Sequence, residues 1–150
     1  MRVRALLGVA VLVVGACGDE ESASSAVEES VAAPTGPMIV VVEQEGYASG
    51  PLDGVLVLED GCLYIDTGSG VGLAVFSHGS TWDAATSSVV HRLGSSVSVG
   101  DVLSGTAEGH PVDSLVPWFL SDAELARAQS CAEATGIDDA WIIGYFETGT

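Results

Sequence analysis

From residue 38 onward, apolar side chains come in runs of four or five, each stopped nearby by glycine, aspartate or both. Residues 38–42, 55–58, 62–65 and 73–76 are such runs. Asp53-Gly54 and Asp60-Gly61 bound the second, and Asp66-Thr67-Gly68-Ser69-Gly70 follows the third. A run of this length is short for a helix but suits a buried strand, and valine, isoleucine and aromatic residues fit a pleated surface. Residues 89–93, 97–99 and 101–106 repeat the pattern more weakly, and 141–146 adds a last strand-like run. Short strands punctuated in this way restrict the chain to a small sandwich or barrel.

One segment departs from the pattern. Ser121-Asp122-Ala123-Glu124 forms a capping box, in which the serine side chain serves the backbone and Glu124 reaches back to the serine. Both acids suit the positive start of a helix. Leu125, Ala128 and Cys131 with Ala132 then recur every three or four residues as one inward stripe, and Gly136 stops the helix. The expected fold is mainly β: a small open β-barrel (OB-like) with one α-helix before the last strand, the helix plugging one end. A small β-sandwich is the alternative.

The charges are divided along the chain. The 150 residues carry 21 acids against four arginines and no lysine, for a formal net charge of −17. Phosphate backbones demand basic side chains, so the balance excludes nucleic-acid binding. With 47% of the chain hydrophobic, it is not a disordered acidic tail either. Arg2 and Arg4 precede every acid, and from residue 38 on 16 acids face only Arg92 and Arg127. The basic start leads into twelve apolar residues, 5–16, followed by Cys17. This is the pattern of a secretory signal, and the apolar stretch is too short to span a bilayer as a helix.

Val14-Gly15-Ala16-Cys17 resembles the lipobox of bacterial lipoproteins, an aliphatic residue and two small ones before the cysteine. The resemblance covers the first 17 residues and departs from the family's commoner pattern only in Val14, where leucine is usual. It implies cleavage between Ala16 and Cys17, acyl chains on Cys17, and a lipid-anchored protein on the extracytoplasmic side of the cell membrane. Residues 1–16 are then the signal peptide. Residues 17–37 are the lipidated cysteine and a flexible linker rich in acids, serine and alanine, and 38–150 are a single β-rich domain. Cys17 being assigned to lipid, Cys62 and Cys131 remain. In an exported domain they most simply form one disulfide, which would staple the helix to the sheet; two buried free thiols are the alternative. The strand around Asp60-Gly61-Cys62-Leu63-Tyr64, with 75–83, Val99-Gly100-Asp101 and 141–143, is also similar to a group of small lipoproteins of high-GC bacteria. That likeness implies a partner for the cysteine but no activity.

Chemistry-bearing patterns are sparse. Asp66-Thr67-Gly68-Ser69 after two apolar residues resembles the catalytic loop of aspartic proteases, which would require a homodimer to supply a second aspartate. A hairpin turn explains the same residues. The glycines at 68, 70 and 72 lack the spacing and following helix of a dinucleotide fingerprint. His78, His91 and His110 share no face legible in the sequence, and Ser80 and Ser104 lack a nucleophile elbow. Asp60, Asp66, Asp83, Asp101 and Asp113 sit at expected loops, without the order of a calcium loop. Residues 116–120 form an apolar cluster before the helix, expected to act as a hydrophobic staple and lid or else as a docking patch. The reading is a lipid-anchored envelope protein with a binding or structural role, not an enzyme, with no cofactor or metal. Its partners are the membrane, through Cys17, and an envelope protein or small ligand. The alternatives are the Asp66 protease and a cation- or ligand-binding module built on the acidic loops.

Overall fold

The computed structural model describes residues 36–43, 48, 50–115 and 119–150. The signal segment, Ala16 and Cys17 and most of the linker lie outside the described residues, as do 116–118. The elements in chain order are β1 (Val40–Val41), β2 (Gly50–Glu59), β3 (Cys62–Asp66), β4 (Val71–Phe76), β5 (Thr81–Asp83), β6 (Ser88–Val90), β7 (Ser96–Ser98), β8 (Val102–Pro111), a 3-10 turn (Val112–Ser114), α1 (Asp122–Thr135) and β9 (Asp139–Thr148).

Five strands close into a ring, β4-β3-β2-β8-β9, sealed by parallel pairing of β4 with β9 from Leu73↔Ala140 to Phe76↔Ile143. The other ring contacts are antiparallel. The expected barrel is therefore present, with its helix before the last strand, and the ring is closed where an open one was expected. β1 adds to β4 in parallel, and β5, β6 and β7 form a separate antiparallel sheet.

Two cores share the wall between them. Leu56, Leu63, Ile65, Ala74, Phe76, Leu103, Ile143 and Phe146 fill the barrel. On its outer face Cys62, Tyr64, Leu73, Val75, Ala140 and Ile142 pack with Ala128 and Cys131 of α1. Strands covered on both faces read as unbroken apolar runs rather than alternating ones, which explains 62–65 and 73–76. The helix thus lies along the barrel wall and does not plug its end, because its cysteine stripe must meet Cys62 on the outward side of β3. Val89 and Val97 of the small sheet join the interior cluster instead.

Gly54 lies inside β2, correcting the expected turn at Asp53-Gly54. A side chain there would sit 2.4 Å from Ile65 Cγ2, so the glycine lets β2 bend from its β8 partner to its β3 partner. Such glycines mark barrel corners. β9 carries the matching irregularity. Gly105 pairs with Phe146 and Ala107 with Ile143, leaving one extra residue in β9. That bulge resets the alternation, so Ile143 and Phe146, three apart, both face the interior.

The helix start is half the expected box. Ser121 Oγ accepts from the Glu124 amide at 3.2 Å. Glu124 does not reach back to Ser121; its carboxylate accepts from Val41 N–H at 3.1 Å and from Arg127 at 2.6 Å. Gly136, at φ +72°, closes the helix in the left-handed region and donates to Ala132 O. Leu120 is fully buried beside Leu125 in the helix-side core. The described end of the 116–120 cluster is therefore a staple and not an exposed lid.

Candidate functional site

Cys62 and Cys131 form a disulfide, with Cα atoms 5.9 Å apart and positions 69 residues apart in sequence. Both are buried, and the Met38 thioether lies 3.8 Å from Cys131 Sγ. Beside the bond, the Tyr64 hydroxyl meets Cys131 O at 3.0 Å and Thr135 Oγ1 at 2.9 Å. Burial raises the Tyr64 pKa above its ordinary value of 10.0, with the Thr135 contact working the other way. The group is a structural weld between helix and barrel.

The aspartates single out turns. Asp66 accepts from Gly68 N–H at 2.8 Å, and Thr67 bonds Gly70 O across the β3–β4 hairpin. The carboxylate of the protease-like motif is thus engaged in its own turn. Asp83 accepts from Ala85 N–H at 2.9 Å, which with Thr86 lowers its pKa. Asp60 takes a positive φ of 48° at the β2–β3 corner, and Asp101 closes the turn before β8. Asp113 lines a groove of about 590 Å³ with Glu133 and Asp138. Among the described residues, no three His, Cys, Asp or Glu side chains gather in a way that could hold a metal ion.

A second cleft encloses about 250 Å³. Its lining includes His78, His91, Arg92, Leu93 and Tyr145 over a floor of Ser77, Thr106 and Gly144. Three backbone features converge to make it. The turn from Ser77 to Ser80 is closed by a 3.1 Å hydrogen bond from Ser80 N–H to Ser77 O, and a side chain added at Gly79 (φ +78°) would come within 3.3 Å of Arg92 Cβ. His78 and Arg92 line the same cleft. The β6–β7 turn is held by His91 N–H to Ser95 O at 2.7 Å and Gly94 N–H to His91 O at 2.8 Å. Its tip is tied to β9 by Ser95 Oγ donating to Phe146 O at 2.6 Å. The β9 bulge supplies Gly144 and Tyr145, whose displaced N–H is taken by Thr106 Oγ1 at 3.3 Å.

His91 is buried and stands edge-on to Tyr145 and Phe146 at 5.8 and 5.3 Å. Its Nδ1 accepts from Leu93 N–H at 3.2 Å, which places the proton on Nε2, and a further bond joins it to the Gly144 backbone. Desolvation lowers its pKa below 6.5, Arg92 adds to that effect and the Gly144 bond opposes it. His91 is therefore a neutral wall. His110 is elsewhere, 3.5 Å from Glu108 and beside Trp141 at another surface depression. The structure thus unites two of the three histidines, which sit 13 residues apart in sequence, because distant turns meet on the bulged strand; no local spacing records that meeting.

Among the described residues, no helix is long and apolar enough to cross a membrane. No family model matches the chain, and no curated protein or solved structure is significantly similar to it.

Proposed function

We propose that this is a lipid-anchored envelope protein, held outside the cytoplasm by acyl chains on Cys17, whose barrel presents a binding site. The observation that carries the reading is the Cys62–Cys131 disulfide. Disulfides form and persist in oxidising compartments and are rare in the cytosol, and this one joins the helix to the barrel inside a core. It agrees with the signal-like start and the cysteine at its edge. The binding role is supported by the cleft of about 250 Å³ that His78, His91, Arg92, Leu93 and Tyr145 line.

Anchoring rests on lipid because the mature chain has no basic cluster to hold an anionic surface, and a single acyl chain gives only marginal attachment. Intact-mass analysis of the membrane fraction tests the reading. The expected species begins at Cys17 and carries two or three acyl chains; an unprocessed and unmodified N-terminus overturns it. Cys17→Ser is expected to move the protein out of the membrane fraction.

A further inference from the structure

We infer that the mouth of the barrel beside Trp141 binds one ring of a neutral sugar. The site is distinct from the cleft behind the binding role proposed above and goes beyond that reading. Trp141 stands near the start of β9 and packs against the interior cluster. Its indole lies across its own strand, from Gly109 of β8 to Gly72 of β4. A side chain at Gly109 would sit 2.9 Å from Cζ3, and one at Gly72 would sit 2.8 Å from Cδ1 and Nε1. The indole thus takes the room that side chains at these two positions would need. Yet its N–H is buried and has no hydrogen-bond partner among the described residues. Buried donors are nearly always paired, so this one calls for an acceptor. His110 Nε2, on the same lip, is buried and unpaired as well; Glu108 Oε1, at 3.5 Å, is too far for a good bond.

The depression at this lip encloses about 240 Å³, and its lining includes Val71, Gly109, His110, Pro111, Asp139 and Trp141. Mouths of β-barrels are common ligand sites, and a volume just below the drug-sized range suits a single ring. The polar groups ask for both halves of a hydrogen bond. The indole N–H only donates, the Asp139 carboxylate only accepts, and the imidazole has one nitrogen for each role. A cation would satisfy Asp139 and oppose the N–H. An anion would oppose Asp139, and the described lining has no arginine or lysine to hold it. A hydroxyl both donates and accepts, so a ring carrying several of them serves every group at once. The C–H surface of such a ring meets Pro111, the indole and Val71, which is 39% exposed. On the wall side the indole meets glycine backbone rather than interlocking side chains, so a small tilt brings its N–H to the lip.

Glucose, galactose, mannose and N-acetylglucosamine are the probes, titrated into isotope-labelled, detergent-extracted mature protein. The indole N–H signals are followed by NMR, with that of Trp141 assigned by its Overhauser contacts to the Gly72 protons. At least one sugar is expected to move the Trp141 signal saturably and to leave the Trp82 signal, at another surface, in place. Tetrahydropyran, the same ring without hydroxyls, is expected to move neither. Asp139→Ala is expected to weaken the binding by about ten-fold, and Trp141→Phe, read from saturation transfer to the sugar, by a few-fold. Asp113→Asn, in the larger groove, is expected to change nothing. The inference is overturned if no sugar moves the Trp141 signal saturably, if tetrahydropyran binds equally well, or if folded Asp139→Ala and Trp141→Phe proteins both bind as the wild type does. If Trp141→Phe does not fold, Asp139→Ala, at an exposed position, decides alone, with wild-type affinity overturning. The titration does not depend on acylation: a protein with a free Cys17 that binds sugar refutes only the anchor, and an acylated protein that binds none refutes only this inference.

Discussion

At Gly105 the barrel has no room for a methyl group. A side chain there would sit 2.0 Å from Tyr145 O and 2.9 Å from Phe146 Cα. Both are backbone atoms of the bulged strand and cannot swing aside, so Gly105→Ala must shift β8 against β9. Overpacking of this kind costs about 1–3 kcal/mol, occasionally more. Gly70→Ala is the matched control, because nothing lies within 4 Å of its would-be side chain; it is expected to stay within about 0.5 kcal/mol of wild type. Urea denaturation of the two variants checks the contrast. His91 offers a second test at the same scale. Its folded pKa is depressed below 6.5 by burial, so the unfolded chain takes up a proton that the folded chain resists. The associated stability is present above pH 6.5 and is lost as pH falls through the folded value, by no more than about 1.4 kcal/mol per pH unit for one proton. Urea midpoints measured between pH 7.5 and 5 are expected to fall for wild type and to fall less steeply for His91→Gln. Equal slopes would show that the imidazole is not the group responsible.

Strands and helix are held to one another by two dissimilar devices. Glu124 links the helix to β1 by accepting the Val41 N–H, an edge-strand amide that the β4 ladder leaves over. Glu124→Ala removes a charged acceptor from a half-buried donor, and a loss of about 1.5–3 kcal/mol is expected. Glu124→Gln keeps an acceptor oxygen and should recover much of it. Hydrogen exchange at the Val41 amide distinguishes the clamp from a helix-capping effect, which would leave that amide protected. The disulfide acts on the unfolded chain: closing about 70 residues contributes on the order of 4 kcal/mol in the chain-entropy account. Replacing Cys62 and Cys131 together by alanine is expected to lower the denaturation midpoint by a comparable amount. Much of this scale was legible in the primary structure. The apolar runs at 62–65 and 73–76, the Ser121 cap, the Gly136 stop and the pairing of the two cysteines all follow from local chemistry. The layer in which the helix lies did not, because an unbroken apolar run says that both faces are covered without saying by what. Asp53-Gly54 misled for a similar reason, since glycine serves a turn and a strand bend equally well.

Across the whole molecule, the cleft lined by His78, His91 and Arg92 was the least legible feature. Its parts come from the β4–β5 turn, the β6–β7 turn and the β9 bulge, and only ring closure brings them together. The charge, by contrast, is fully legible and has a consequence for the entire domain. From residue 38 on, 16 acids against two arginines leave the folded state repelling itself. Among the described residues Glu124 meets Arg127, whereas Asp66 and Asp83 accept from amides in their own turns. Unfolding spreads the same charges over a larger volume, so their repulsion favours the unfolded chain. Salt shortens the Debye length from about 30 Å at 0.01 M to about 10 Å at 0.1 M, roughly from domain size to the spacing of near neighbours. Raising sodium chloride over that range is therefore expected to raise the melting temperature, with most of the gain complete by 0.1 M. A stabilisation that grows only at molar salt would instead indicate strengthened apolar burial. If the melting temperature fell with salt, favourable ion pairs would outweigh repulsion, and the Glu124–Arg127 pair, being half-exposed, is too weak to produce that result.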